Sequence, residues 1–439
     1  MLRTIFVFAI LIIGWGFAFT SELYAAALYL WLAYFRPESW AWSGVFASLN
    51  LSYIAGVFLV GRTLVSGVRM RVTWRSGLLL AFLMLSLLST FAGLYVEHSF
   101  EAWQAFAKTI IVSYLLTVII RTESDLRFIL FVIALSLGFE AAKQGWAQLV
   151  LNPGGRNDNP IPFLGDNNVV AVGMAMLVPL LSALAATSSG LQKRGLQFVN
   201  IGIVYRGLST YSRGGFLSMG AIAGLSFLRS ERKLRALVAG AIVALLVLPA
   251  LPTEFWDRMS TISAPADERD DSSTGRLHFW QVAVVMANDH PFLGVGHSAY
   301  QPSYDQYDWT GGRYRTARSV HSVWFGVLAE SGYTGFALYM LIVLSSLWGC
   351  HRVRRMAKHG KVPESLGRYA TAIESALIAF MVGGSFVPYQ YGEMVWHLFA
   401  LSIVVEQLAV TAAESARDSR ELEDRPVLKE PAEEFVWAS

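Results

Sequence analysis

The residues best equipped for chemistry in this chain stand where long apolar stretches are interrupted. Ser209-Thr-Tyr-Ser-Arg213-Gly-Gly215 places hydroxyls, one arginine and two glycines at the boundary of such a stretch. Glycines let backbone approach a ligand closely, hydroxyls and amides donate hydrogen bonds, and a guanidinium fork matches phosphate oxygens. The segment reads as an anion cradle, the plainer alternative being an arginine that snorkels between two helix ends. Farther on, Ser272-Ser-Thr-Gly-Arg276 precedes Leu277 to Met286, in which Leu277, Trp280, Val284 and Val285 share a face at helical spacing. This predicts an amphipathic helix lying on a membrane surface, capped by the hydroxyl cluster and stopped by Asn288-Asp289-His290-Pro291. Arg276 at the start of that helix would reinforce the positive end of its dipole, a setting that binds phosphate. Pairing of Arg276 with a nearby acid is the alternative.

Arg318-Ser-Val-His321-Ser322-Val-Trp324 then opens another apolar run, with His321 at its mouth and Trp324 and Phe325 one turn below. Histidine takes a proton from a sugar hydroxyl near neutral pH, which an apolar setting otherwise cannot do; a packing role at the interface is the alternative. Glu330 lies about 13 Å deeper on the opposite helical face. It is therefore expected to pair with an intramembrane cation, Arg206 or Lys143, instead of orienting His321.

These residues need elements to hold them, and the composition dictates which. Of 439 residues 54% are hydrophobic and 15% charged, too little polar surface to cover a soluble globule. Apolar segments fall near 4–20, 22–35, 44–61, 77–95, 103–120, 128–150, 167–187, 195–210, 214–228, 236–251, 321–349, 369–386 and 390–411. A bilayer core of about 30 Å needs about 20 such residues per helix. Continuous apolarity favours helices over barrel strands, which alternate. The expected architecture is an all-α polytopic integral membrane protein of about 12 transmembrane helices, with one long periplasmic loop carrying an amphipathic helix. It divides into N-terminal helices at 1–251, the loop at 252–320, C-terminal helices at 321–411 and a cytoplasmic tail at 412–439. Cys350 is the single cysteine, so no internal disulfide is possible.

Arginine and lysine mark the cytoplasmic loops. Arg62 to Arg75, Arg121 with Arg127, Lys193 with Arg194, Arg229 to Arg235, and Arg352 to Lys361 alternate consistently to one side. Three full spans before residue 62 would put the N-terminus outside, whereas Arg3 argues for inside. Ionisable residues within spans are expensive and so are functional candidates. Lys108, Lys143 with Glu140, Arg206, Arg213, Glu393 and His397 all fall in the outer half by this topology, suggesting a polar cavity that opens outward. Glu140 and Lys143, spaced i,i+3, could equally just neutralise each other.

The loop at 252–320 has six arginines, Arg258, Arg269, Arg276, Arg313, Arg315 and Arg318, no lysine, and nine acids. Bidentate phosphate recognition selects arginine. The net negative loop is unsuited to nucleic acid. Asp267-Glu-Arg-Asp-Asp271 has no metal-ligand spacing and reads as a solvated turn.

Taken together, Tyr211-Ser-Arg-Gly214, Gly275-Arg276-Leu-His-Phe-Trp280, Asp289-His-Pro-Phe-Leu-Gly-Val-Gly296 and His321-Ser-Val-Trp-Phe-Gly-Val-Leu-Ala-Glu-Ser-Gly332 resemble, in order and spacing, the O-antigen ligase and polymerase superfamily. Leu135-Ser-Leu-Gly-Phe139, Lys143 and Gly165-Asp-Asn-Asn168 also look like the exosortase-associated O-glycosylation ligases. The family histidine is usually followed by Asn, where Ser322 stands here. The resemblance implies a glycosyltransferase of the bacterial inner membrane. It would move a glycan from undecaprenyl pyrophosphate to a sugar hydroxyl of lipid A-core on the periplasmic face, without metal, cofactor or nucleotide sugar. The family's pyrophosphate-contacting arginines carry over onto Arg213 and Arg276, and its general base onto His321. Lys108, Lys143, Arg206, Trp280, Arg318, Trp324 and Glu330 are expected to support them. A polymerase or a protein O-glycosylation ligase would use the same donor. A flippase of lipid-linked glycan would need charge along a path through both leaflets, and the inner half has chiefly Glu374.

Overall fold

The computed structural model describes residues 2–40, 49–247, 256 and 271–423, and among these the chain is helical, with one isolated bridge between Ile161 and Gly165. The first eleven helices are α1 (Leu2–Ala18), α2 (Glu22–Phe35), α3 (Pro37–Trp40), α4 (Leu51–Val65), α5 (Trp74–Ala92), α6 (Val96–Ile119), α7 (Glu123–Leu151), α8 (Asn167–Ala186), α9 (Gly190–Leu208), α10 (Arg213–Arg229) and α11 (Lys233–Val247). After residues 257–270, which lie outside the description, come α12 (Asp271–Asp289), α13 (Tyr300–Tyr307), α14 (Val323–Lys358), α15 (Glu364–Gly384) and α16 (Glu393–Glu423). Five of the described helices, α5, α6, α8, α14 and α16, are long and apolar enough to cross a membrane, and α1, α2 and α4 are shorter apolar helices. The chain is a multi-pass membrane protein. The acidic Asp267–Asp270 stretch and the tail beyond Glu423 fall outside the described residues.

The direction of the first helices follows from polar contacts at their ends. Arg62 donates to the Thr20 carbonyl at 3.1 Å and Arg121 pairs with Glu22 at 3.4 Å, so the α1–α2 turn sits at the end of the bundle rich in arginine. Arg3 lies at the other end, in a pocket shared with Glu140 and Lys143. Three apolar segments thus alternate in direction before residue 62, and the N-terminal Arg3 is opposite the basic loops. Thr73 and Thr122 close capping boxes at the starts of α5 and α7, satisfying amides that the apolar helices leave open.

α8 is the central helix. Every residue from Val169 to Leu177 is buried, as expected of a helix apolar on all sides. Aromatic rings of Phe82, Phe106, Tyr339, Trp396 and Phe399 interlock between α5, α6, α14 and α16, with centroids 5.1–6.1 Å apart. A second, smaller core forms under α12. Its buried face is Phe279, Val282, Ala283 and Met286, packed on Val295, Ala299, Tyr300, Tyr304, Val320 and Ala329. The expected apolar stripe is not the one that meets protein: Leu277 is 51% exposed, while Trp280, Val284 and Val285 are half-buried. Both sets have helical spacing, and the sequence alone does not say which one meets protein.

Two further expectations need amendment. α12 begins at Asp271, so Arg276 occupies its second turn instead of its start, and the hydroxyl cluster lies inside the helix. The apolar run 321–349 was expected as one continuous span, yet α14 breaks at Gly332, where φ is 64° and ψ −171°. Only glycine adopts such angles without strain. The freed backbone groups are taken up by neighbours: Val295 N–H donates to Ala329 O (2.9 Å), Tyr333 N–H to Pro291 O (2.8 Å) and Ser89 Oγ to Glu330 O (2.7 Å). A Cβ at Gly294 would lie 2.4 Å from the Ala329 carbonyl oxygen, so this glycine permits the loop to touch the helix backbone.

Candidate functional site

A polar cavity of about 110 Å³ brings together Asn168, Tyr211, Ser212, Arg213, Gly214, Arg276, Phe386 and Val387. Two arginines from segments more than sixty residues apart therefore face one small space. Arg213 is the first residue of α10, whose N-cap Ser212 accepts from Gly215 N–H at 3.3 Å. Asn168 lies in the first turn of α8, capped by Asp166, which accepts from Asn168 N–H (2.7 Å) and Val169 N–H (3.2 Å). Two helix N-termini thus converge on the cavity, adding partial positive charge to the guanidiniums. The convergence depends on glycine: a Cβ at Gly215 would stand 2.3 Å from the Ala171 Cβ, so α10 packs directly on α8.

The loop before α8 is stitched to the cradle. Arg206, wholly buried, donates to Gln144 Oε1 (2.8 Å), Asn157 O (3.4 Å) and Asn159 O (2.7 Å). Asn157 N–H donates to Ser209 O at 2.7 Å, and the Tyr211 hydroxyl donates to Gly154 O. Tyr211 itself is left-handed at φ 56°. A non-glycine residue held there costs about 1–3 kcal/mol, a strain typical of functional sites.

His321 immediately precedes the N-cap Ser322 of α14 and is also left-handed, at φ 49°. Its ring lies 6.4 Å from that of Phe279, over which Arg318 places its guanidinium at 5.3 Å. Burial and the nearby charges of Arg276 and Arg318 push the imidazole below its ordinary value of 6.5, with Asp166 opposing them. The neutral form, which can accept a proton, is the resting one at neutral pH. Trp280, one turn from Arg276, stacks on Phe325 at 5.2 Å and 11°, seating α12 on the first turn of α14. Trp324 donates to Ser385 Oγ at 2.9 Å, fixing the segment that carries Phe386 and Val387.

The remaining expected residues go elsewhere. Lys108 pairs with Glu393 at 3.4 Å and Lys143 with Glu140 at 2.7 Å. Glu330 does not pair with Arg206 or Lys143: it accepts from Gln390 Nε2 (3.0 Å) and Tyr300 N–H (3.3 Å), so it ties α14 to the start of α13 and to the loop before α16. Sequence reasoning overlooked Asn168 as part of the cavity, although the stretch containing it had been noticed. It also overlooked His278, buried and bonded to Asp308 at 2.9 Å, where Asp308 further accepts from Thr310 and Gly312 N–H groups. His297, packed between Phe106 (5.0 Å) and Tyr391 (4.0 Å), has its pKa pushed down to about 3 by burial. His278 stands inside the quoted Gly275–Trp280 stretch, but its partner Asp308 is 30 positions away, and His297 follows no spacing pattern.

Two arginines in one small cavity, with a histidine near Arg276 at the same end of a membrane bundle, make a site suited to an anionic group. Comparison with known families gives the particular assignment: residues 198–340 match the O-antigen ligase family, and residues 2–180 match a family of unknown function (DUF5935). Residues 198–340 therefore carry the O-antigen ligase domain, the superfamily that the motifs resemble. No curated protein matches the chain.

Proposed function

We propose that the protein is a glycosyltransferase of the ligase type, taking a glycan from undecaprenyl pyrophosphate and joining it to a sugar hydroxyl of lipid A-core. The observation that carries this reading is the shared cavity of Arg213 and Arg276 beside a neutral His321. His321 accepts the proton of the acceptor hydroxyl as that oxygen attacks the anomeric carbon. The bond from this carbon to the pyrophosphate oxygen breaks, and the charge left on undecaprenyl pyrophosphate is met by two guanidiniums and two helix N-termini. Single displacement inverts the anomeric configuration, and the arginines take the place of a divalent metal. The site faces the periplasm, about 12 spans cross the inner membrane, and the basic loops are cytoplasmic. Asn168 in the cavity favours the narrower likeness to the exosortase-associated O-glycosylation ligases, because it belongs to the stretch on which that likeness rests.

Purified protein incubated with lipid-linked glycan and lipid A-core in chelator is expected to form the ligated product, with His321→Ala and Arg213→Ala folded but inactive. A ladder of lengthening lipid-linked chains would assign polymerisation instead, and glycan on protein would assign the alternative acceptor. Full activity of either variant would remove the role given to that residue.

A further inference from the structure

The end of the bundle opposite His321 holds a much larger cavity, of about 820 Å³, lined by Arg69, Arg71, Arg75, Arg121 and Arg352 with Glu406 as the one lining carboxylate. It opens at the start of α5, and the far end of that 19-residue helix touches the 295–296 loop. The cavity is therefore about 28 Å along this helix from the loop that binds the Ala329 carbonyl in α14. Arg75 and Arg352 both bind Glu406, at 2.6 and 3.0 Å, and Arg121 binds Glu22 at 3.4 Å. Among the five lining arginines and the two carboxylates paired with their side chains, three positive charges are in excess.

Arg75 is 3% exposed, and its Nε is buried without a hydrogen-bond partner among the described residues. Its guanidinium is held by Glu406 and the Ser402 carbonyl, so it stands as a fixed positive charge in the cavity wall. Gly349 makes the arrangement possible, since a Cβ would lie 2.3 Å from Arg75 Nη1. The rim is apolar and wet at once: Trp74 is 58% and Trp348 53% exposed, and Val65 and Val72 are exposed nearby. Exposed tryptophans beside arginines mark the level of lipid headgroups.

We propose that this cavity binds the phosphodiester headgroup of an anionic phospholipid, with the phosphate among the arginines and the acyl chains along the apolar rim. The excess positive charge excludes a zwitterionic headgroup as an equal ligand, and the exposed rim distinguishes a lipid from a free anion. The site is separate from the proposed transfer chemistry and does not depend on it.

Native mass spectrometry of the full chain, equilibrated with equal phosphatidylglycerol and phosphatidylcholine, tests the assignment. Phosphatidylglycerol should be retained in at least about tenfold excess, falling to within about twofold in Arg69→Gln/Arg71→Gln, both exposed loop positions whose loss leaves the Arg75–Glu406 clamp intact. Arg69→Glu alone serves if the double variant is not recovered, and should also abolish the preference. Brominated phosphatidylglycerol should quench tryptophan emission, and the quenching should fall in Trp74→Phe/Trp348→Phe. Equal retention of both lipids, or a preference untouched by the arginine variants, overturns the proposal. Displacement of the lipid by inorganic phosphate as effectively as by phosphatidylglycerol would make the ligand a soluble anion and overturn the lipid assignment.

Discussion

Both ends of this bundle gather arginine, and they use it differently. At the His321 end two arginines share about 110 Å³ with the starts of two helices, closed in by glycine-mediated packing and flanked by left-handed backbone at Tyr211 and His321. At the opposite end five arginines line about 820 Å³, clamped in part by Glu406. The small cavity is shaped and pre-strained, with a neutral imidazole nearby. The large one is a charged basin with room for a headgroup. Catalysis needs groups held to within fractions of an ångström, whereas recognition of a diffuse anion tolerates slack.

That contrast can be broken most sharply at His321. His321→Ala should lower the transfer rate about 10²–10⁴-fold, the usual contribution of a general base. The arginine change Arg69→Gln/Arg71→Gln should leave transfer within about twofold; a comparable loss in both would erase the distinction. Arg213→Lys and Arg276→Lys keep the charge and lose the fork, so each should cost roughly 10²-fold in kcat, measured with saturating donor. The small cavity's dependence on close packing predicts that Gly215→Ala destabilises by about 1–3 kcal/mol through its clash with Ala171, read as a lower thermal midpoint. Gly220→Ala, which meets nothing within 4 Å, should not. The smallest effect concerns pH. Burial and two cations hold the His321 imidazolium below its ordinary 6.5, so the acid limb of kcat/KM should fall below that value. Stability from this group is present above pH 6.5 and lost as pH falls through the lowered folded value, because the unfolded chain binds the proton more readily. Arg318→Gln should move the limb up and Asp166→Asn, which preserves a capping residue, should move it down. Shifts of the same sign would contradict the charge assignment.

What was legible in the sequence follows from cost. Arg213, Arg276 and His321 stand out because apolar sequence does not tolerate them idly, and helical spans are readable for the same reason. Arg75 was read as a loop anchor, since sequence gives its charge but not Glu406, which is 331 positions away. The break at Gly332 is silent because an isolated glycine within a long helical run is compatible with a continuous helix. The buried face of α12 could not be chosen between two equally periodic stripes until Tyr300 and Tyr304 supplied its partner.

The break at Gly332 has a consequence for how this protein tolerates change. In an unbroken helix, one inserted residue turns everything beyond it by about 100° and translates it by about 1.5 Å. Here the nine residues from Val323 to Ser331 take their azimuth from the Pro291–Val295 loop and Ser89, not from the rod below. The lower rod is tied to the same loop at its start, through Tyr333 N–H on Pro291 O, and meets Arg75 farther down at Gly349. The Pro291–Val295 loop is thus a common hub for the segments on either side of the break, so a register change deep in the lower rod reaches His321 only through that hub.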